Sequence, residues 1–238
     1  MTVPVRRVVL FAREPSPGQV KTRLARQIGE GPAAALYSAF LEDLAATLPD
    51  PERWAAVLAH AEPGPGPFLR RTFRRPWSFV PQGEGSLGAR LARAFEGALA
   101  GDRAHLLVAG SDAPTLTKGD IESAFRAMED GAEIVFAPSH DGGFSLVGVA
   151  SAEAGLGRPG ERTPGDFLEG VRWSTQFALE DARGAAERLG RRVALLAPVP
   201  DVDLLEDLPA LSSFLSKNLS LLPATRRAIE SRLGRVVA

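Results

Sequence analysis

Short apolar runs alternate with longer amphipathic segments along the whole chain. Residues 8–12 form a continuous apolar run inside the segment 5–12, which is typical of a strand buried on both faces. Six further short segments rich in apolar residues lie between groups of Gly, Pro and Asp. The predicted strands cover residues 5–12, 54–60, 77–80, 105–109, 133–137, 144–149 and 193–197.

The longer segments between these strands repeat their apolar residues every three or four positions. Leu36, Phe40 and Leu44 show this spacing within residues 22–48, where a break is expected at 29–32. Such spacing places the apolar side chains on one face of a helix. The predicted helices cover residues 22–48, 68–73, 86–99, 117–128, 173–190, 204–215 and 223–233, whereas residues 152–170 are expected to be irregular.

The alternation of strands and helices predicts the α/β class. The expected architecture is a three-layer α/β/α sandwich of Rossmann type with a mixed, mostly parallel sheet. Antiparallel pairing is expected around the turn at Asp141, where two predicted strands follow one another closely. Neither a repeat nor a linker divides the chain, so we expect a single domain over residues 1–238 with a C-terminal helical extension at 218–238.

Composition narrows the choice of function. The 238 residues carry 28 Lys and Arg against 29 Asp and Glu, a net charge of −1, with no Cys and three His. The absence of Cys excludes disulfides, thiolate nucleophiles and Cys-based metal sites. The net charge near zero provides no overall electrostatic attraction for nucleic acids or anionic membranes. No segment approaches the length of a membrane span. We therefore expect a cytoplasmic protein with small-molecule partners, in an oligomeric state that the sequence leaves open.

Basic residues cluster in the loop after the first predicted strand. Arg13, Lys21 and Arg23 lie there with Gly18, just before a predicted helix. Backbone N–H groups, a helix N-terminus and basic side chains together can bind phosphate. The loop is not a P-loop, since Val20 stands where that motif has glycine before the lysine. An ordinary solvated helix start explains the position equally well.

Single carboxylates follow three later strands. Asp112, Asp141 and Asp203 come after the fourth, fifth and last predicted strands. Each has a simpler explanation, namely an Asx turn, a hairpin turn and a helix N-cap respectively. In open α/β sheets, however, loops at the carboxyl ends of the strands form the ligand site. A basic loop and two carboxylates that hold Mg²⁺ or Mn²⁺ would suit a diphosphate.

Six sequence blocks resemble those of one protein family. They are the segment 11–24, Gln82-Gly83 with Leu87-Gly88, the segments 110–116 and 141–148, Trp173-Ser174-Thr175, and the segment 201–208. In this order they resemble the bacterial radical-SAM/selenodomain-associated transferase family, whose members are glycosyltransferase-like proteins of arsenosugar biosynthesis. The resemblance implies the GT-A fold of nucleotide-diphospho-sugar transferases. The family is also similar to small nucleotidylyltransferases, such as phospholactate guanylyltransferase and the cytidylyltransferases.

The resemblance also assigns roles to residues. It implies metal binding by Asp112 and Asp203, and phosphate binding by Arg13, Lys21 and Arg23. From its turn after the fifth predicted strand, Asp141 could hold a substrate hydroxyl or act as a base. We therefore expect Lys21, Asp112 and Asp141 to be catalytic, and the nucleotide to be bound by Arg13, Gly18, Lys21, Arg23, Gln82 and Gly83.

The chain departs from the family at three positions. Ser86 replaces an acidic residue, Ala89 replaces a glutamate, and Phe144 replaces a tyrosine. Three functions are thus open: a Mg²⁺-dependent transferase that uses a nucleotide-activated sugar, a nucleotidylyltransferase that couples a nucleoside triphosphate to a phosphorylated acceptor with release of pyrophosphate, and a nucleotide-binding module without catalysis.

Overall fold

The computed structural model describes residues 5–61, 63–99, 104–150 and 164–232. All seven predicted strands are present in this part of the chain, with ends that differ from the prediction by a few residues. The strands are β1 (Val5–Ala12), β2 (Ala55–His60), β3 (Ser78–Pro81), β4 (Ala104–Gly110), β5 (Ile134–Pro138), β6 (Phe144–Val149) and β7 (Val193–Leu195).

Helices connect most of these strands. The predicted break in the first helical segment is real, since Gly29 ends one helix and begins the next with a φ of 92°. The helices are α1 (Thr22–Ile28), α2 (Glu30–Thr47), α3 (Pro67–Thr72), α4 (Leu87–Leu99), α5 (Lys118–Glu129), α6 (Ala178–Arg188), α7 (Leu208–Lys217) and α8 (Pro223–Arg232). None of the helices in the described ranges is both long and apolar enough to span a bilayer.

The strands form one mixed, mostly parallel sheet in the order β3-β2-β1-β4-β6-β5-β7. β6 runs antiparallel to both of its neighbours, β4 and β5, and the other pairs are parallel. The expected fold class is therefore confirmed. The chain moves outward from β1 through β2 and β3, then returns to place β4 on the other side of β1, so a crevice opens at the carboxyl ends of β1 and β4.

Each face of the sheet is packed against helices. Val8 and Leu10 of β1 face one core, which includes residues of α1, α2, α3, α5, α7 and α8. Val9 and Phe11 face the opposite core with residues of α4 and α6. The alternation follows from the two-residue period of a strand, and it produces the three expected layers.

Two predicted helices begin later than their sequence pattern indicates. Helix α6 begins at Ala178, and the preceding Trp173-Ser174-Thr175 segment is a loop in which Ser174 has a φ of 60°. The Thr175 hydroxyl accepts a hydrogen bond from the Phe177 amide, which competes with helical pairing. Helix α7 is preceded by a 3₁₀ turn at Leu205–Asp207.

The prediction of irregular structure over 152–170 falls mainly on residues 151–163, which lie outside the described ranges, and Asp166–Leu168 forms a 3₁₀ turn. The final helix agrees with its prediction up to Arg232, and residues 233–238 of the proposed extension also lie outside the described ranges.

Helix α8 is attached to α2 through a buried carboxylate. Asp43 is 2% exposed and accepts hydrogen bonds from the amides of Ala224 and Thr225, at 3.0 and 2.8 Å. These amides belong to the first turn of α8, where the helix has unpaired N–H groups and the positive end of its dipole. The described part of the basic C-terminal segment therefore packs on the core of its own chain.

Replacing Asp43 with alanine is expected to destabilise the protein by about 2–4 kcal/mol, because two charge-assisted hydrogen bonds are lost and two buried amides are left unpaired. Urea unfolding measures this change, and limited proteolysis should cut first in α8. Glu42→Ala alters the exposed neighbour and serves as the control. Equal stability of the two variants would contradict the role given to Asp43.

Candidate active site

A cleft of about 540 Å³ lies at the carboxyl ends of β1 and β4. The loop after β1 forms one side, and the residues that follow β4 form its base. The start of β6 also reaches the cleft, because an antiparallel strand begins where its neighbours end. Phe144, Ser174 and Asp203 complete the lining from distant parts of the chain.

Lys21 lies at the centre of this arrangement. Its Nζ atom forms ion pairs with Oδ1 of Asp112 and with Oδ1 of Asp203, the latter at 2.9 Å. The Lys21 side chain is 2% exposed, whereas those of Asp112 and Asp203 are 52% and 38% exposed. The ammonium is thus enclosed while both carboxylates keep a surface towards solvent. Lys21 of the basic loop and the two aspartates are thus in direct contact.

Backbone strain helps to place Lys21. It precedes α1 in the left-handed conformation, with a φ of 49°. For a residue other than glycine this costs about 1–2 kcal/mol, so the surrounding contacts must compensate. Besides the two carboxylates, the rings of Tyr37 and Phe40 lie 5.8 Å from the Lys21 ammonium. The site is therefore held by tertiary contacts rather than by local sequence preference.

The charge of Lys21 is stabilised by its partners. Burial lowers its pKa, but the opposite charges of Asp112 and Asp203 outweigh burial, and the net pKa is raised above the ordinary value. Tyr37 lies beside this pair, and its hydroxyl is 2.7 Å from Ser111 Oγ. Burial first, and then the charge of Asp112, raise the pKa of Tyr37 to about 12, so Tyr37 is neutral and can donate a hydrogen bond.

Hydrogen bonds fix the two aspartates relative to each other. The Val202 amide donates to the carbonyl of Asp112 at 3.0 Å, which ties the Asp203 loop to the end of β4. Asp207 accepts from the amides of Asp203 and Leu204, at 2.8 and 2.7 Å. The carboxylate that caps the 3₁₀ turn before α7 is thus that of Asp207, and Asp203 is left to face the cleft.

The carboxylate oxygens at this site could serve as ligands of a cation that also binds the substrate. One oxygen from each of two aspartates converges on the Lys21 ammonium, so the two carboxylates lie close enough to share one positive charge. Mg²⁺ is typically held by one or two carboxylates plus phosphate oxygens of the substrate. Among the described residues, no three His, Asp or Glu side chains are arranged to hold a metal by themselves. Asp112 and Asp203 therefore fit a metal that arrives with a diphosphate.

Arg13 and Arg23 line the same cleft as Lys21. The described residues form no ion pair with either guanidinium, so both charges remain available to an anion. Gly18 does not line the cleft. It has a φ of 76°, and a Cβ atom there would lie 3.1 Å from the carboxylate of Glu30, so its role in this structure is to let the basic loop turn close to α2.

Gln82 supports the cleft through its amide. Its Nε2 donates to the carbonyls of Ala12 and Ala59, at 3.1 and 2.8 Å, and this links the ends of β1 and β2. Its Oε1 accepts from Arg90 at 2.8 Å. Gly83 has a φ of 73° and lies against the Arg93 guanidinium rather than in the cleft lining. The structure thus brings Gln82 to the site but engages its amide with protein groups.

Arg90 is a cleft residue that the sequence analysis missed. It lies on α4 between Leu87 and Leu91, which also line the cleft. A charged residue beside the apolar stripe of a predicted amphipathic helix is the signal that could have revealed it. Burial, and then the charges of Arg13 and Arg93, lower the pKa of Arg90. The positive charges of Arg13, Arg90 and Arg93 therefore lie close enough to repel one another.

Asp141 lies outside the cleft lining, and so do two of the three positions at which the chain departs from the family. Asp141 Oδ1 accepts hydrogen bonds from Ser139 Oγ and from the Gly143 amide, at 2.5 and 2.9 Å, as in an Asx turn, and Asp141 does not line the cleft. Ser86 Oγ accepts from the Ala89 amide at 3.2 Å, and both residues are outside the cleft lining. Phe144 does line the cleft and packs edge-on against Trp173.

Asp201 extends the acidic side of the site. Burial is the main reason why its pKa is raised to about 6, and the charges of Asp141 and Asp203 add to this effect. An ordinary aspartate has a pKa of about 3.9. The folded protein thus holds the Asp201 proton more tightly than the unfolded chain. The resulting contribution to stability is complete below pH 4 and is lost as the pH rises through about 6.

Replacing Asp201 with asparagine removes this cost of ionisation. At pH 8, with chelator present, we expect the variant to be more stable than the parent by up to about 2 kcal/mol, and at pH 4 the difference should vanish. Urea unfolding across this pH range measures the change. Glu206→Gln neutralises a charge at an exposed neighbour and is the matched control. A stability difference that does not depend on pH would contradict this explanation.

Comparisons with known proteins agree with this architecture. A family model described as an uncharacterized protein conserved in bacteria, DUF2064, matches residues 44–175. The match includes Gln82, Asp112 and Asp141, whereas Lys21 and Asp203 lie outside it. No curated protein matches the chain.

Solved structures with the same fold come from several bacteria. A provisionally assigned nucleotide-diphospho-sugar transferase from Desulfovibrio desulfuricans G20 superposes with a TM-score of 0.82 over 98% of both chains, at 23% identity. A cytidylyltransferase from Leptospira borgpetersenii serovar Hardjo-bovis gives a TM-score of 0.57 at 12% identity, over 98% of this chain and 95% of that one. For 4-diphosphocytidyl-2C-methyl-D-erythritol synthase from Anaerococcus prevotii DSM 20548, the TM-score is 0.50 at 9% identity, over 90% of this chain and 99% of that one. At such identities the likeness shows the fold.

Proposed function

Since this chain belongs to the bacterial DUF2064 family and folds as nucleotide-diphospho-sugar transferase structures do, we propose that it is a nucleotide-dependent transferase. Its substrate is a nucleotide-activated sugar, and the diphosphate binds in the cleft between the basic loop and the two aspartates. The observation that carries this proposal is the enclosed Lys21 ammonium, which forms ion pairs with both Asp112 and Asp203 at the strand crevice.

We assign metal binding to the two aspartates and stabilisation of the phosphate charge to the basic residues. Asp112 and Asp203 would hold Mg²⁺ or Mn²⁺ together with the phosphate oxygens. The metal, when bound, neutralises charge on the diphosphate and on the leaving nucleoside diphosphate. Lys21, which both aspartates hold in place, would stabilise the same negative charge as a donor positioned before the reaction. Arg13 and Arg23 line the cleft and would add positive charge beside the diphosphate.

We assign Asp141 a contact with the sugar or the acceptor. Its Oδ1 is engaged by Ser139 and Gly143, so its remaining oxygen is the one that would contact the sugar or the acceptor. The transfer breaks the bond between the anomeric carbon and the diphosphate oxygen and forms one from that carbon to an acceptor oxygen, whose proton passes to solvent or to a base.

A second candidate is nucleotidyl transfer. In this reaction an oxygen of an acceptor phosphate attacks the α-phosphorus of a nucleoside triphosphate, and pyrophosphate leaves. The observation that favours it is the charge of the loop, since Arg13 and Arg23 line the cleft without an ion-pair partner in the described ranges and a triphosphate offers more charge to neutralise. The Leptospira structure shows that a cytidylyltransferase has the same fold.

One experiment separates the two reactions. Purified protein with Mg²⁺ is incubated with a panel of phosphorylated and hydroxylated acceptors, supplied in turn with nucleotide-sugars and with nucleoside triphosphates. The proposal expects release of nucleoside diphosphate from a nucleotide-sugar. Release of pyrophosphate from triphosphates alone would replace it with nucleotidyl transfer, and tight nucleotide binding without turnover would indicate a binding module.

A further inference from the structure

A second cavity of about 370 Å³ lies beside the cleft, between α4 and the sheet face formed by β1, β2 and β3. Its floor is made of aliphatic side chains. Val80, on the edge strand β3, is 40% exposed there. The floor residues are Val9, Val57, Ala59, Val80 and Pro81. We call this cavity the groove.

The groove exists because α4 covers only part of the sheet. Leu91 and Phe95 direct α4 towards β1 and β4, where they pack in the second core. The described helices leave β2 and β3 open on this face. The groove and the cleft share Phe11, Gln82 and Arg90 in their linings, so the two cavities meet at the carboxyl end of the sheet.

Two arginines from successive turns of α4 stand where the cavities meet. Arg90 donates to Gln82 Oε1 at 2.8 Å, and Arg93 donates to the carbonyls of Gln82 and Glu84, at 2.8 and 3.1 Å. All of these acceptors are uncharged, and within the described ranges no carboxylate pairs with either guanidinium. The hydrogen bonds therefore fix two positive charges without neutralising them, at one end of an apolar groove.

From this combination we propose that the groove binds the acceptor, an amphiphilic small molecule whose apolar body lies on the aliphatic floor and whose anionic head contacts Arg90 and Arg93. This inference rests on the proposed function, because it assigns the second substrate of the same transferase. The aliphatic floor residues offer a sugar or a nucleotide base no polar partner. Arg7 also lines the groove, but it lies near the start of β1, at the end away from the cleft, and it already has an interaction partner. A hydrocarbon chain, in contrast, gains affinity with each methylene that such a floor buries. The groove volume is within the range of small-molecule sites.

The test uses n-alkyl phosphates from methyl to octyl, titrated into the full chain by calorimetry. We expect the affinity to rise about two- to fourfold with each methylene until the groove is filled. Arg93→Gln should weaken the binding of octyl phosphate while it leaves that of octanol unchanged. Equal affinities for methyl and octyl phosphate would overturn the proposal.

A blocking variant locates the binding. Gly97 lines the groove, and a Cβ atom there would have nothing within 4 Å, so Gly97→Leu adds a side chain at the wall of the groove and favours the helix. Gly97→Leu should abolish the increase in affinity with the length of the alkyl chain. Gly31→Leu also adds a side chain into open space, but on α2, and should preserve it. Dependence on chain length that persists in Gly97→Leu would place the ligand elsewhere and overturn the proposal.

Nucleotide titrations on the same proteins separate this inference from the proposed function. Lys21→Met should weaken nucleotide binding and leave octyl phosphate binding intact, whereas loss of both ligands would mean that alkyl phosphates bind in the cleft and would overturn the groove. If the parent protein binds no nucleotide, the proposed function fails, whatever the alkyl series shows.

Discussion

Replacing Lys21 with methionine is expected to lower turnover at least about 100-fold, which is the usual effect of removing one preorganised donor from a transition state. The same change should destabilise the metal-free protein by about 1–2 kcal/mol, because two carboxylates then face each other without the ammonium between them. The partial exposure of Asp112 and Asp203 keeps this cost below that of a fully buried pair. Methionine retains the packing against Tyr37 and Phe40, so the loss concerns charge.

The sharpest measurement is the stability of Lys21→Met with and without Mg²⁺. In chelator the variant should unfold at lower urea concentration than the parent, and Mg²⁺ should recover more stability for the variant, since the ion can occupy the position of the ammonium. Arg23→Met removes an exposed charge two residues away, in the first turn of α1, and is the control for stability. A variant that is as stable as the parent in chelator, or that gains nothing from Mg²⁺, would show that the three charges do not act as one unit.

The second large effect is expected at the aspartates. Asp112→Asn and Asp203→Asn keep the shape of the side chain but remove the charge that would hold the metal, and a metal contributes several kcal/mol to charge stabilisation in such reactions. We expect turnover to fall about 100- to 1,000-fold and Mg²⁺ to stop improving nucleotide affinity.

Calorimetry with a nucleotide at zero and saturating Mg²⁺ measures this prediction. Asp130→Asn, at the exposed end of α5, is the control for loss of a carboxylate. Combining Lys21→Met with Asp112→Asn should cost less than the sum of the single changes, because the residues contact each other. Unchanged Mg²⁺-dependent binding in both aspartate variants would remove the metal site from this cleft.

The comparison of sequence and structure is most instructive at individual residues. Hydrophobic periodicity was sufficient to place β1, the break at Gly29 and the antiparallel pair β5–β6, because each depends on neighbours in the chain. It was insufficient at Trp173-Ser174-Thr175, where side-chain hydrogen bonds compete with the helix, and at Asp203, whose expected capping role belongs to Asp207.

The residues of the site, too, were predictable in part. The positions of Arg13, Lys21, Asp112 and Asp203 after strands predicted that they would gather at one crevice, and all four line it. Their relative arrangement was not predictable, since the contact of Lys21 with Asp203 joins residues 182 positions apart and requires a strained backbone at Lys21. Arg90 was missed because its partner Gln82 lies in the loop after β3, eight residues earlier, and only the folded chain brings the two side chains together.

The sequence by itself therefore determined the order and kind of the elements, the fold class and the end of the sheet where chemistry belongs, since these follow from local periodicity and from the rule that parallel strands end together. Only the tertiary structure decided which charges meet, which amides are already engaged and where the sheet is left uncovered. Those properties depend on distances between segments far apart in the chain, and packing sets them, not the residues on either side.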